Sequence, residues 1–265
     1  MNYFFAFIVQ AFKEATKSRF SFFVNMLGKI IFFIINFYLW QAIFGYDGRE
    51  VINGLRMEET INYMLFISIM NGIVHTHIHG KVMMDVKEGT IATKLLKPLD
   101  YGLQHLAINL GKSSFVAFSE IIPSIIIAAI FFNFRLYGLF YFLISVASFF
   151  FSLMLNFFID LNVSLVNFKF IDTYHAVGFI KNVFKNIFSG EFFPLNFFPQ
   201  VFQGIFKFLP TTYMIYTPVM IYLGKLSATD IILSFIIQSG FILFFYSIYK
   251  FFYGRLTRSF EGVGV

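Results

Sequence analysis

Apolar residues in this chain gather into long runs, and polar residues collect in short clusters between them. A helix needs roughly 20 mostly apolar residues to cross a bilayer. Six runs meet that pattern: residues 20–44, 61–79, 103–132, 139–158, 170–188 and 231–252. The fifth is the least apolar, because Asp172, His175, Lys181 and Lys185 fall within it. Residues 192–223 are also apolar but carry Pro194, Pro199, Pro210 and Pro218. Proline lacks an N–H and clashes with the preceding turn, so this stretch predicts broken helices dipping back into the membrane rather than a clean crossing. Ahead of the first run, Gln10, Lys13 and Lys17 recur at i, i+3, i+7, while Phe4, Ile8, Phe12 and Ala15 mark another face. That periodicity predicts an amphipathic helix in the membrane interface within residues 1–19.

Composition agrees with the pattern. Of the 265 residues, 58% are hydrophobic and only 13% charged, and the mean hydropathy is +0.75. Too few polar residues remain to cover so much apolar surface in water, which excludes a soluble enzyme, a disordered tail or a secreted disulfide scaffold. The chain has no cysteine, so disulfides, thiolate metal sites and cysteine nucleophiles are excluded too. The expected architecture is an all-α polytopic membrane protein, with residues 1–265 forming one transmembrane domain of six helices.

The net charge of +6 needs no nucleic-acid partner. Six crossings put both termini on one side. With them lie Lys13, Lys17, Arg19, Lys81, Lys87, Lys94, Lys97, Lys169, Lys250, Arg255 and Arg258; opposite lie Arg49, Arg56, Arg135, Lys207 and Lys225. Retention of basic residues on the cytoplasmic side therefore predicts cytoplasmic termini in a plasma-membrane, multi-pass protein.

Residues 80–102 form the cytoplasmic segment between the second and third runs. Gly89 and Pro98 bracket a short helix with Ile91 and Leu95 on one side and Lys94 and Lys97 beside them. This is either a docking face without a partner in its own chain or a solvated loop. Charges at membrane depth are costly and mark cavities or pairs. Glu120, close to Pro123, reads as part of a polar pathway or gate, or as a structural pair; Lys29 reads as snorkelling to the inner surface. Tyr174, Gly178, Lys181, Lys185 and Ser189 share one helical face. That stripe lines a path for an anionic or amphipathic cargo, or reaches the outer headgroups. His75, His77 and His79 fit a polar helix end better than a metal site, since only two share a face.

The run Val86-Lys87-Glu88-Gly89-Thr90-Ile91, followed by Leu95-Leu96-Lys97-Pro98-Leu99, resembles the cytoplasmic signature of ABC-2 type exporter permeases. Tyr38 to Phe44 is similar to the end of that family's first span. Ser189-Gly190 through Pro194 to Pro199, then Leu209-Pro210, Pro218-Val219 and Tyr222-Leu223-Gly224, resemble its outer region, and Glu261 to Gly264 its carboxyl end. The chain departs from the family at Phe168-Lys169, where a Trp is common in second place, at Ala92 for an Asp and at Val86 for an Ile.

The resemblance implies the permease half of a dimer, built with a second copy or a paralogous permease over two soluble ABC ATPase subunits. It implies ATPase coupling through Glu88, Gly89, Thr90, Ile91, Leu95, Leu96, Lys97 and Pro98. Glu120, His175, Gly178, Lys181 and Lys185 are the expected pathway residues, and Gly190, Pro194, Pro199 and Pro210 mark an outer lid within residues 190–224. The cargo would be amphipathic or hydrophobic: a drug, a peptide or a lipid-like molecule. The chain holds no G-x-x-x-x-G-K-[ST] run, so no catalytic residue, cofactor or metal is expected in it, and ATP and magnesium belong to the partner. Two other classes stay open. An ion-coupled secondary transporter needs discontinuous spans in matching halves. A membrane-embedded hydrolase or transferase needs a convergent acid–base set, for which Glu120 and His175 are the candidates.

Overall fold

Nearly all described residues, which are 3–17, 19–48, 50–74, 78–132, 134–166 and 174–260, are helical in the computed structural model. Four helical stretches among them are long and apolar enough to cross a membrane. They are Phe23–Tyr46 within α2 (Arg19–Asp47), Tyr101–Phe131, Leu139–Val166 (α8), and Ala228–Arg255 within α12 (Ala228–Phe260). The second joins α6 (Tyr101–Val116) to α7 (Ile122–Phe131) through a π turn at Ala117–Ile121. Ile31, Ile35, Ile126, Phe150, Ile236 and Leu243 stand exposed along these helices. So broad an apolar exterior suits lipid rather than water.

Helix α3 (Met57–Val74) is enclosed instead. Tyr63, Met64, Leu65, Phe66, Ile67 and Ile69 are all buried, and α2, α6, α8 and α11 (Tyr216–Tyr222) pack around it. A helix apolar on all sides is buried by its neighbours. Its start, with Glu58, Glu59 and Asn62, keeps its apolarity below that of the four lipid-facing helices. Of the second predicted run, α3 covers the described residues to Val74, and α4 (Ile78–Lys87) begins after residues 75–77, which lie outside them. His79 falls in the first turn of α4, while His75 and His77 lie outside the described residues. The start of the fifth run also lies outside them; α9 (Tyr174–Phe188) covers the remainder.

The predicted interfacial helix is α1 (Tyr3–Ala15), and one side of it closes on α6. A Cβ on Gly111 of α6 would stand 2.3 Å from the Ile8 carbonyl oxygen, so only glycine allows this approach. Ala11 is buried in the contact, and the Phe12 and Phe115 rings meet edge-to-face at 5.8 Å. Tyr3, Phe5 and Val9 stay exposed on the other side.

Between α2 and α3 the all-α expectation misses a two-residue ribbon, β1 (Val51–Ile52) with β2 (Leu55–Arg56). Asn53 and Gly54 both have positive φ, as an Asn-Gly hairpin turn requires. The ribbon is held to the segment that follows α9: Asn196 Nδ2 donates to the Asn53 carbonyl at 2.5 Å, and Lys225 Nζ donates to the Gly54 carbonyl at 3.4 Å.

Candidate functional site

Four regions carry the residues singled out by sequence. The first is the turn between α4 and α6. Helix α4 stops at Lys87, Gly89 turns the chain with φ +70°, and α5 (Ile91–Leu95) makes little more than one turn. Ile91 is buried beside Val82, Tyr101, Phe157 and Leu161, and Leu95 packs against the same cluster. This corrects the expectation that their side of α5 lacks a partner in its own chain. Glu88, Ala92, Leu96, Lys97 and Pro98 face outward instead, with Leu96 86% exposed.

Polar contacts brace this turn. Asp85 takes Lys94 Nζ at 2.5 Å and the Tyr101 hydroxyl at 2.8 Å, with His105 Nε2 at 3.7 Å. Gln104 Nε2 donates to the carbonyls of Lys94 and Leu99, both at 2.8 Å. Asp100 caps α6 by accepting from Gly102 N at 2.9 Å. Burial pushes the Asp85 carboxyl up, but hydrogen bonds from His105, Lys94 and Tyr101 and the Lys94 charge outweigh it and hold the carboxyl well below the usual range. A carboxylate depressed on folding contributes stability that is complete above its unfolded value of 3.8 and is lost as pH falls from there toward the folded value. Proteolytic cleavage at residues 88–98 is therefore expected to stay constant from neutral pH down to about 5 and to rise below about 4. Asp85→Asn should show elevated cleavage already at neutral pH.

The second region is a cavity of about 300 Å³ between α2, α3, α4 and α6. Glu120 reaches it from the π turn just before Pro123. The wider turn accommodates a proline, which has no N–H to give the helix ladder. Lys29 Nζ lies 3.0 Å from Glu120 Oε2, and Asn25 Nδ2 donates to Oε1 at 3.1 Å. The snorkelling expected of Lys29 is thus replaced by a pair across two helices. An opposite charge at 3 Å is worth more to a cation at this depth than a partial reach toward water. Lys81, His105, Asn109 and Lys112 line the same cavity.

The third region is α9. Lys181 pairs with Asp160 of α8, and Lys185 Nζ lies 3.6 Å from Glu191 Oε2. Gly178 is buried, and His175 falls in the first turn of the helix. The predicted basic stripe is therefore matched by carboxylates within the chain, and neither lysine is among the residues lining the Glu120 cavity. Phe179, Ile180 and Phe184 form the exposed side of α9.

The fourth region follows α9. Three of the four prolines open a helical turn, and Pro218 lies in the first turn of α11: Pro194 precedes the 3-10 turn Leu195–Phe197, Pro199 precedes α10 (Gln200–Phe206), and Pro210 begins the 3-10 turn Pro210–Tyr213. At such starts the missing N–H costs nothing. The segment folds back on the end of α9. Tyr216 N donates to the Ser189 carbonyl at 2.9 Å, Thr211 Oγ1 to that of Phe188 at 3.1 Å, and the Tyr63 hydroxyl to that of Gly190 at 2.9 Å. Helix α10 leaves Val201, Phe202 and Ile205 exposed, whereas α11 is buried against α8 and α3.

Sequence reasoning missed one element. Ser145, Ser148, Ser152, Asn156 and Asp160 of α8 lie on one face and are all buried. Ser145 Oγ donates to the Pro218 carbonyl at 2.7 Å, Asn156 Nδ2 to that of Val74 at 2.6 Å, and Ser152 Oγ to that of Tyr213 at 3.1 Å. Gln238 Nε2 of α12 also donates to the Tyr213 carbonyl, at 2.7 Å. The spacing of 3, 4, 4 and 4 in an otherwise apolar run was the available signal. Among the described residues, no group of three or more His, Cys, Asp or Glu side chains could hold a metal ion.

A sequence model of the family described as ABC-2 family transporter protein matches residues 30–264. No curated protein and no solved structure matches the chain. The match spans most of the molecule, and the chain belongs to the ABC-2 transporter family.

Proposed function

We propose that this ABC-2 family chain is the membrane-spanning subunit of an ATP-driven exporter in the plasma membrane, with six crossings and both termini in the cytoplasm. Residues 88–98 seat on a soluble ABC ATPase, which binds ATP and magnesium and carries all the catalysis. A second copy or a paralogous permease completes the membrane core. The cargo is an amphipathic or hydrophobic molecule moved outward by alternating access.

The observation that carries this reading is the combination of protrusion and bracing at the α5 turn. Leu96 projects into solvent, while the backbone beside it is tied to α4 through Lys94–Asp85 and to α6 through Gln104. Force applied at Leu96 passes into the first turns of α6, the helix that carries Glu120 further along. The Lys29–Glu120 pair joins that helix to α2 and supports a gating role for Glu120. The folded-back segment 190–224 supports the lid reading, since hydrogen bonds hold it to the end of α9.

Affinity purification of the tagged chain from its native membrane tests the reading. A soluble P-loop ATPase is expected to co-purify, and Leu96→Asp is expected to lower its recovery about tenfold or more. Because Leu96 is exposed, the variant should keep the wild-type melting temperature. Undiminished ATPase recovery and transport by Leu96→Asp would refute the coupling assignment. Recovery of the chain alone, with no ATP-dependent transport after reconstitution, would refute the exporter.

A further inference from the structure

We infer that the cavity between α2, α4 and α6 binds the phosphate-bearing headgroup of an anionic amphiphile from the cytoplasmic leaflet. The inference concerns equilibrium binding by the resting chain and does not depend on ATP-driven export.

The cavity's charge is unbalanced. Among the described residues that line it, the one carboxylate, Glu120, is matched by Lys29 at 3.0 Å and by Asn25 at 3.1 Å. Lys81 and Lys112 line the same space, and among the described residues neither has a carboxylate within ion-pair distance. Lys112 follows Gly111, where α6 meets α1, and its side chain is exposed. A lysine at the level of an interfacial helix can present its ammonium to an anionic headgroup. Glu14 lines the adjoining smaller pocket together with Lys97 and with Lys94, which Asp85 already matches, so Lys81 and Lys112 remain the excess positive charge.

A second observation is independent of charge. Asn109 is 8% exposed, lines the cavity, and its Nδ2 has no hydrogen-bond partner. A buried donor without an acceptor is unfavourable, and a ligand oxygen there would satisfy it. Two ammonium groups and a spare amide donor favour an acceptor-rich anion, as a phosphate ester is. Ile78, Ile108 and Val116 add apolar surface to the same lining. A volume of about 300 Å³ holds a headgroup and the first methylenes of a tail, not a whole lipid. The rest of the tail would then lie in the surrounding leaflet. The lysines of α9, which sequence put forward for an anionic ligand, are already paired with Asp160 and Glu191; Lys81 and Lys112 take that part.

Native mass spectrometry of the purified protein, with whatever subunits accompany it, tests the site. The probes are phosphatidylglycerol and phosphatidylcholine added from mixed micelles. The wild type is expected to retain phosphatidylglycerol preferentially. Lys81→Gln with Lys112→Gln should weaken that retention about thirtyfold, at the usual worth of one basic side chain toward anionic lipid, and leave phosphatidylcholine unchanged. Lys81→Arg with Lys112→Arg should retain the preference. Should the glutamine variant fail to fold, Ile108→Trp fills the cavity from a half-buried position and is expected to abolish the preference. Equal retention by wild type and the glutamine or tryptophan variants overturns the site. Displacement of the lipid by millimolar inorganic phosphate overturns the lipid source and assigns the pocket to a free anion.

Discussion

Replacing Asp160 with Leu is expected to destabilise the protein by about 3–5 kcal/mol, the usual cost of leaving half of a buried ion pair behind. Asp160 is completely buried in α8, and its partner Lys181 in α9 is 11% exposed. The single substitution strands an ammonium against an apolar side chain, where neither water nor another leaflet surface compensates it. Lys181→Leu takes the ammonium away from the Asp160 carboxylate and should also destabilise the protein. The double variant removes both charges at once, and leucines of comparable size can fill the space. It should therefore recover most of the loss, because the pair's Coulomb energy in the intact protein is largely spent on desolvation. Unfolding in a denaturing-detergent titration, run on all four members of the cycle, reads the coupling directly. Additive losses would show that Lys181 and Asp160 act separately, and the α8–α9 contact would then need another explanation.

Replacing Gly190 with Ala is expected to cost about 2–5 kcal/mol, the sum of two strains. Gly190 has φ +83°, a conformation that costs an L-residue roughly 1–2 kcal/mol. Its new Cβ would also stand 2.5 Å from the Tyr63 hydroxyl and 3.2 Å from the Tyr216 Cβ, an overpacking worth about 1–3 kcal/mol. Tyr63→Phe removes the nearest of those atoms, together with its hydrogen bond to the Gly190 carbonyl. On its own that change should cost about 1 kcal/mol. Combined with Gly190→Ala it should cost less than the two singles added together, because the steric part disappears while the φ strain remains. Thermal melts of the three variants give the test, and strict additivity would exclude the clash. Transport is expected to fall more than stability alone accounts for, since Gly190 is where α9 hands over to the proposed outer lid.

The two substitutions differ in how far the sequence announces them. Gly190 sits in a glycine- and proline-rich stretch, so a turn there was legible, and Pro194, Pro199 and Pro210 do open turns. Asp160 was passed over because it lies just past the end of the fourth apolar run, residues 139–158, although its spacing from Asn156 and Ser152 marks a polar face. The coupling segment was legible as a short helix between Gly89 and Pro98. Which of its leucines faces outward was not: Leu95 packs inward and the adjacent Leu96 outward, and only the neighbouring Phe157 and Leu161 decide that.

Taken alone, the sequence determined the environment of this protein. Apolar runs longer than a bilayer is thick, with few charges to interrupt them, leave lipid as the only solvent in which the chain can bury its surface. It also determined several local helix starts and stops, since Gly89, Asp100, Pro199 and Pro210 act on their own local backbone, whereas α8 and α12 run past residues 158 and 252, where their apolar runs end. The tertiary structure alone decided the partners of the charges. Lys29 meets Glu120 across 91 positions of chain, counted from their numbers, and Lys181 meets Asp160. Helical periodicity tells which face a residue occupies but not what stands opposite it. In a low-dielectric interior, what stands opposite sets the free energy of a charge.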